Sequence, residues 1–334
     1  MATTVTEAFN IFQKDHVNLD PEVTKQARSS HGWLIGVING FDGNVDHFPT
    51  LYTEKHISFG SFARNTKIRP LDDIDKIICL HAEGSTYQES IFSTTITVNN
   101  TSSPLYRLTH DNSDQLNSIR VVNKFVSALS SVPQYDKADV NRNQEAATLK
   151  LKSYPWNFDI VPGFYTSPEA DGRSYYLIPD GSGHWKKTDP TRDRDLVTYL
   201  NVRNEGHMLN LIRVVKYWNK RPTMPSMKSY LLECIMLDYI YSLPEKSISQ
   251  FVDLHLSDVF RAISDKVLGA VNDPKGIQGD INDLSYEDRF KIRDRALEDV
   301  QKADLARAYE DAKEIRNSIN TWKRVFGQNF PDYG

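Results

Sequence analysis

Two aspartates, Asp73 and Asp75, are the residues of this chain whose type and spacing most directly indicate chemistry. They open an apolar, β-prone run that continues through residues 77–80. Side chains two positions apart in a strand point to the same face, so both carboxylates should project together. Two adjacent carboxylates repel each other unless a cation lies between them or one of them is protonated. Mg²⁺, which prefers a few carboxylates together with phosphate oxygens and water, is the simplest solution.

A glycine-serine pair, Gly60-Ser61, comes shortly before these acids and reads as a turn after a strand. Glycine allows the backbone to approach a ligand closely, and exposed N–H groups with the Ser61 hydroxyl can hold a phosphate. Phosphate-binding and metal-binding groups within one strand-turn-strand unit are what nucleotidyl transfer requires. A Gly-Ser turn and an Asp-x-Asp pair are each common alone, so the prediction depends on their occurring together in this order.

Asp159 is the natural third carboxylate. It lies in the predicted strand 156–162, between apolar neighbours that include Phe158 and Ile160. A lone aspartate in a buried strand is costly unless it is paired or bound to a metal. The alternative is an aspartate at a strand end that caps a turn before Pro162.

The stretch GSFARNTKIRPLDDID, residues 60–75, resembles the nucleotidyltransferase signature of the polymerase-β superfamily: Gly-Ser, a loop, then Asp-hydrophobic-Asp. The Arg-Asn-Thr segment after GSF is similar to the oligoadenylate synthase branch, and the chain most resembles the CD-NTases, bacterial relatives of cyclic GMP-AMP synthase. The resemblance implies an α+β fold, with a polymerase-β-like lobe (a mixed sheet flanked by helices), a C-terminal helical lobe and an active site in the cleft between them. It also implies that Asp73, Asp75 and Asp159 are the catalytic and metal-binding acids.

Four further residues are candidates for nucleotide binding beside Gly60 and Ser61. Arg64 is in the cationic loop after the turn, and Lys216 is on a largely apolar predicted helix, where most lysines simply extend to solvent. Ser229 and Tyr230 begin the next helix, whose N-terminus favours anions, and Tyr230 could stack on a base or be a core tyrosine. The resemblance implies that Lys216 reaches the triphosphate and that Ser229 and Tyr230 contact the donor nucleotide.

The resemblance also implies the reaction. Mg²⁺, or Mn²⁺ in its place, would be held by the three acids, and NTPs, ATP and/or GTP, would be joined into a cyclic di- or trinucleotide with release of pyrophosphate. The product would act as a second messenger that triggers an effector in antiphage signalling of the CBASS type. Alternatives are an enzyme that makes linear oligonucleotides or modifies a small acceptor, and a nucleotide-binding regulator without turnover.

Composition limits the partners. The chain has 334 residues, is 39% hydrophobic and 25% charged, and has a net charge of −4, so it lacks the basic character of a protein that binds nucleic acid stably. It has no apolar run long enough to cross a membrane and no signal region at its N-terminus, and its two cysteines lie far apart in apolar segments. We expect a cytoplasmic monomer.

Spacing and turn signals divide the chain near residue 190. Residues 1–190 should form the nucleotidyltransferase lobe with a long N-terminal helix, and residues 191–334 the helical lobe. Strands are predicted at 51–62, 73–82, 137–140, 146–151, 156–162, 175–179 and 183–187, with further β-structure within 91–110. Helices are predicted at 20–43, 114–131, 193–204, 207–220, 226–242, 247–268 and 286–326, the last broken near residues 303–304.

Overall fold

The computed structural model describes residues 1–90, 93–225 and 227–334. The chain forms two compact units. The sheet unit consists of residues 21–63 and 71–191, and the helical unit of residues 1–20, 64–70 and 192–334. None of the helices in the described part of the chain has both the length and the apolar character that crossing a membrane requires.

The described residues of the sheet unit contain nine strands: β1 Ile57–Phe59, β2 Asp73–Leu80, β3 Thr86–Glu89, β4 Thr94–Thr97, β5 Asp139–Asn143, β6 Ala146–Lys150, β7 Asn157–Tyr165, β8 Tyr176–Pro179 and β9 Trp185–Thr188. They form one mixed sheet in the order β1-β2-β7-β8-β9-β4-β3, with β6 also paired to β7 and β5 paired to β6. Only β2 and β7 are parallel among the paired strands of the described residues, and the other pairs are antiparallel. The strand with the Asp-x-Asp pair is therefore central, since it has a partner on each side.

Where the structure describes the sheet unit, it has four α-helices: α2 Pro21–Ile38, α3 Phe41–Asn44, α4 Gly60–Ala63 and α5 Ser118–Ser130. Helix α2 begins at Pro21, one residue after the predicted start at residue 20. Its His31 ring stacks on Phe158 of β7, with ring centroids 6.3 Å apart. Phe158 and Ile74 are buried at 0% and 2% exposure, so one face of the β2–β7 pair contributes to the core.

The helical unit contains α1 Val5–Phe12, α7 Met208–Asn219, α8 Ser229–Ser242, α9 Asp253–Lys266, α10 Tyr286–Asp311, α11 Ile315–Phe326 and most of α6 Pro190–Arg203. Its core is one continuous apolar cluster in which α7 and α8 are buried over most of their length. Trp218 of α7 packs against Phe260 of α9, with ring centroids 4.8 Å apart.

The division into units differs from the prediction at two places. Residues 1–20 and 64–70 lie in the helical unit, although the change of unit after Thr191 falls next to the predicted boundary. Residues 1–20 belong to the helical unit because of aromatic packing: the centroid of the Phe9 ring lies 5.2 Å from that of Trp322 and 5.0 Å from that of Phe330. Residues 64–70 belong to it because Ile68 is buried in the core of the helical unit.

Several predicted elements differ from the observed ones in their bounds, as the following cases show. The break predicted near residues 303–304 is wrong, because α10 continues to Asp311 and the chain turns at Lys313, whose φ is 65°. The predicted strand 51–62 is a strand only at Ile57–Phe59 and becomes helical at Gly60. Helix α2 ends at Ile38, whereas the predicted helix ran to residue 43, and the short helix α3 follows it. The predicted helix start at Ser226 and the first two residues of the segment 91–110 lie outside the described residues.

Candidate active site

Three carboxylates converge at one end of the central strand pair of the sheet unit. Asp73, Asp75 and Asp159 each contribute one carboxylate oxygen, and these atoms all lie within 4.8 Å of one another. Within residues 1–90, 93–225 and 227–334, no other group of three His, Cys, Asp or Glu side chains meets this condition. All three aspartates are half-buried, so the cluster is neither sealed in the core nor fully solvated.

Strand register brings the acids together. Asp75 lies directly opposite Asp159 in the parallel pair, and Asp73 lies opposite Asn157. Side chains alternate between the faces of a strand, so Asp73, Asp75 and Asp159 share one face while Ile74 on the other face is buried. The predicted convergence of these acids is therefore confirmed.

Gly60 lies directly against this cluster. Its φ is 72°, which residues with a side chain rarely adopt, and an added Cβ would lie 1.8 Å from Oδ2 of Asp75. Both the backbone conformation and the available space therefore require glycine at this position. Ser61 follows in the first turn of α4, which places the Gly-Ser pair beside Asp75 as the sequence indicated.

Asp159 is held by a neighbour on the adjacent strand. Thr148 of β6 is its register partner, and the Thr148 hydroxyl donates to Oδ1 of Asp159 at 2.6 Å. This bond holds the Asp159 carboxylate in one orientation through its Oδ1 atom. Three carboxylates this close suit a hard divalent cation, which prefers oxygen ligands and offsets their mutual repulsion.

A second charged cluster lies entirely within the helical unit. Glu233 of α8, 1% exposed, accepts hydrogen bonds from Lys216 Nζ at 2.6 Å and from the Arg64 guanidinium at 3.1 and 3.2 Å. Burial alone would raise the pKa of Glu233, but the charges of Arg64 and Lys216 outweigh it, so the pKa lies below its ordinary value. Glu233 is therefore an anion shared by two cations, and we call these three residues the Arg–Glu–Lys cluster.

Lys216 does not extend to solvent. It is 4% exposed, which excludes the interpretation of a lysine lying along an apolar surface with its charge in water. Arg64 is anchored from the segment 64–70, where the Asn65 carbonyl also accepts from Arg213 at 2.8 Å. Two of the predicted nucleotide-binding residues therefore belong to one buried network.

Tyr230 and Ser229 open α8 next to this cluster. The Tyr230 hydroxyl donates to Asp193 at 2.8 Å, and Lys275 Nζ lies 4.3 Å from the centroid of its ring. The guanidinium carbon of Arg64 lies 5.6 Å from the same centroid. Burial, followed by neighbouring groups such as Cys234 and Asp193, raises the pKa of Tyr230. Ser229 is the exposed first residue of the helix.

Sequence reasoning missed three of these partners: Thr148, Glu233 and Lys275. Glu233 could have been predicted from the sequence, because a lone acid in an apolar helix is costly unless it is paired. Thr148 and Lys275 could not, since their roles depend on which strand or loop lies beside them in the fold.

Comparison with known proteins places these features in a family. A probable cyclic nucleotide synthase of Bacillus cereus (strain VD146) is 44% identical to the chain over 334 residues, which covers 100% of the chain and 99% of that protein. The cyclic AMP-AMP-AMP synthase of Escherichia coli (strain MS 115-1) is 21% identical over 345 residues, covering 96% and 95% of the two proteins. No protein-family profile matches the chain.

Among solved structures, that of Escherichia coli MS115-1 CdnC with ATP has a similar fold. Its TM-score is 0.67 at 19% identity, and the match covers 98% of each chain. At this identity the likeness shows the fold, whereas the Bacillus cereus protein shows the relationship along the whole sequence. The chain therefore belongs to the CD-NTase family, the bacterial cyclic nucleotide synthases.

Proposed function

We propose that this protein is a Mg²⁺-dependent nucleotidyltransferase that joins NTPs, ATP and/or GTP, into a cyclic di- or trinucleotide and releases pyrophosphate. The observation that carries the proposal is the convergence of three carboxylates from two strands beside Gly60-Ser61. Three carboxylates within 4.8 Å of one another repel each other unless positive charge offsets them, and a divalent ion with oxygen ligands would provide that charge.

Each residue of the cluster has a proposed role. Asp73, Asp75 and Asp159 would hold Mg²⁺, and the hydrogen bond from Thr148 holds the Asp159 carboxylate in one orientation. A bound ion would supply the Lewis acidity that lowers the pKa of a ribose hydroxyl and offsets the charge of departing pyrophosphate. The Gly60 backbone and the Ser61 hydroxyl bind phosphate oxygens, because glycine leaves room for a close approach.

The helical unit contributes the remaining nucleotide contacts in this proposal. Arg64 and Lys216 provide positive charge for the triphosphate, and Glu233 holds both in place. Ser229 binds phosphate at the start of α8, and Tyr230 contacts the donor base. The shared hydrogen bonds of the Arg–Glu–Lys cluster support this assignment, since they keep two long cationic side chains ordered before substrate arrives.

We further propose that the reaction takes place in the cytoplasm, that the enzyme acts as a monomer without stable nucleic acid, and that its product activates an effector in antiphage, CBASS-type signalling. The names of the two curated relatives support a cyclic product, since both are called synthases of cyclic nucleotides.

One incubation tests the activity. The protein is mixed with all four NTPs and Mg²⁺, pyrophosphate is measured, and the products are treated with phosphatase and resolved by chromatography and mass spectrometry. We expect a phosphatase-resistant product whose mass equals two or three nucleoside monophosphate units minus a water per unit, made from ATP and/or GTP. The double variant Asp73→Asn, Asp75→Asn should make none.

Other results of this incubation would indicate one of the alternative functions. A phosphatase-sensitive ladder of products would indicate linear oligonucleotides, and nucleotide on an added small acceptor would indicate a modifying enzyme. NTP binding without pyrophosphate release, with either Mg²⁺ or Mn²⁺, would indicate a regulator without turnover.

A further inference from the structure

Lys275 is a buried cation to which the proposed reaction assigns no role. It lies in the loop between α9 and α10 and is 5% exposed. Its ammonium nitrogen lies 3.0 Å from Asp273 Oδ1 and 3.5 Å from Asp193 Oδ2, and it donates to the Tyr230 hydroxyl at 2.5 Å. All four residues belong to the helical unit, and we call them the Tyr230 network.

The loop is folded so that Lys275 has little freedom. Oδ1 of Asp273 accepts from the backbone amide of Lys275 at 3.1 Å, and Oδ2 accepts from the amides of Ile277 and Gln278 at 3.3 and 3.1 Å. Burial alone would raise the pKa of Asp273, but the hydrogen bonds and the charge of Lys275 outweigh it, so this pKa lies below its ordinary value. Asp273 is therefore an anion that holds both the backbone and the ammonium group of Lys275.

The Tyr230 hydroxyl is held by charged groups on both its accepting and its donating side. It accepts from Lys275 and donates to Asp193 at 2.8 Å, with Asp273 a more distant acceptor at 3.3 Å. A phenolic hydroxyl has one proton to donate and can also accept, so both of its functions are used here. Hydrogen bonds to charged groups are the stronger kind, so the Tyr230 ring has one preferred orientation before any nucleotide binds.

Lys275 can act on a nucleotide only through the side chains that it contacts. At 5% exposure it has almost no surface with which to touch a substrate in this conformation. Tyr230 is half-buried, and the guanidinium carbon of Arg64 lies 5.6 Å from its ring centroid, so the ring connects Lys275 to the Arg–Glu–Lys cluster. Tyr230 is also the residue to which the proposed reaction assigns the donor base. A ring that is fixed beforehand loses less conformational entropy when the base binds.

We propose that Lys275 is a positioning residue for the donor nucleotide, because it holds the Tyr230 ring in the orientation that contacts the base. This inference rests on the proposed role of Tyr230. A lysine that only neutralised Asp193 and Asp273 would affect stability, whereas a positioning lysine also affects the apparent KM for NTPs. Lys275 belongs neither to the acidic cluster nor to the Gly-Ser turn, so the rate at saturating NTP should hardly change.

Steady-state pyrophosphate release by the full-length protein tests the proposal, with ATP and GTP varied together in the presence of Mg²⁺. Lys275→Met keeps the unbranched apolar part of the side chain and removes the ammonium group. Its apparent KM should rise about three- to tenfold, as expected for the loss of one hydrogen bond, while kcat stays within about twofold of the parent value. Lys275→Arg keeps a charged donor and should restore most of the lost affinity.

A double-mutant cycle separates positioning from charge balance. Tyr230→Phe removes the hydroxyl that Lys275 holds, so in this background Lys275→Met should raise the KM by less than about twofold. Tyr230→Phe also leaves the charges of the network balanced, and it should itself raise the KM about three- to tenfold, which keeps the test valid if Lys275→Met fails to fold. Lys266→Met, at an exposed lysine that pairs with Asp238 in the same unit, is the matched control and should keep the parent KM.

Two results would overturn this inference and leave the proposed function intact. One is a parent KM in folded Lys275→Met or, where that variant does not fold, in Tyr230→Phe. The other is an equal rise in KM whether residue 230 is tyrosine or phenylalanine, which would show that Lys275 does not act through the hydroxyl. A parent protein that releases no pyrophosphate and binds neither ATP nor GTP in calorimetric titration would overturn the proposed function, and this inference with it.

Discussion

Asp75 and Asp159 are direct partners in the parallel pair of β2 and β7. A shift of this pairing by one residue would turn Asp159 to the opposite face of the sheet, since side chains alternate along a strand. Phe158 and Ile160, on either side of Asp159, are fully buried, and such a shift would move both out of the core positions they occupy. The packing of the core therefore sets the distance between the acids.

Replacing Asp159 with asparagine tests the metal site. The variant Asp159→Asn keeps the side-chain shape but removes one of three charges, so pyrophosphate release should fall by at least about a hundredfold. In metal-free buffer its melting temperature should stay the same or rise, because repulsion within the acidic cluster decreases. Asp139→Asn, at an exposed position on β5, is the matched control and should retain activity. Full activity of Asp159→Asn would contradict the proposed role.

Gly60 offers a test of close packing. The variant Gly60→Ala introduces both an unfavourable φ and a Cβ that would lie 1.8 Å from Asp75, so Asp75 must move and activity should be lost. Gly84→Ala separates the two effects, since Gly84 has a φ of 79° but nothing lies within 4 Å of its added Cβ. It should cost about 1–2 kcal/mol of stability and leave pyrophosphate release unchanged. Equal activities of the two variants would show that contact with Asp75 does not matter.

Glu233 is the residue on which the Arg–Glu–Lys cluster depends. The variant Glu233→Gln leaves two buried cations without their counter-charge, so the free energy of unfolding in urea should fall by about 3 kcal/mol. The apparent KM for NTPs should rise as Arg64 and Lys216 lose their fixed positions.

The matched control for Glu233 is Glu205→Gln. Glu205 pairs with Lys246 at 2.8 Å on the surface, where solvent screens the interaction, so the urea midpoint should hardly change. A Glu233→Gln protein as stable as the control would show that the buried charges are compensated in another way.

His31 gives the sheet unit a dependence on pH. Burial, with a smaller effect of Lys76, lowers the pKa of His31 to about 4, against an ordinary value of 6.5. Between these values the unfolded chain takes up a proton that the folded chain does not, so stability is full above pH 6.5 and is lost as pH falls toward 4.

The variant His31→Phe should lose less stability than the parent between pH 7 and pH 5, as measured by urea unfolding at each pH. Some dependence should remain, because burial also lowers the pKa of His56 to about 4. An unaltered slope in His31→Phe would mean that this histidine does not titrate between the folded and unfolded states as expected.

Local spacing was enough to find the acidic cluster. Asp73 and Asp75 share a strand face by alternation alone, and Asp159 was conspicuous as an acid within an apolar strand. Glu233 shows the same pattern among Leu231, Leu232 and Cys234 and could have been found in the same way. The partner of Asp159 could not, because Thr148 is identified only by the register of β6 on β7.

The ends of helices and strands were harder to predict where backbone conformation or tertiary packing, and not residue type, determines them. The turn after α10 occurs at Lys313, which adopts a positive φ without being a glycine, so nothing in its residue type indicates it. Ala303, where a break was predicted, is fully buried in the middle of the helix, consistent with the strong helix preference of alanine. Residues 1–20 belong to the helical unit because of aromatic contacts with residues near the C-terminus. Such contacts between distant parts of the sequence cannot be predicted from local residue patterns.

The chain passes between the two units four times, after residues 20, 63, 70 and 191. The helical unit is thus assembled from three separate stretches, and a gene fragment that begins at residue 192 would lack Phe9 and Phe12, which pack on Phe330. Neither unit is encoded by one uninterrupted stretch of the gene, so a single recombination crossover cannot exchange either unit intact.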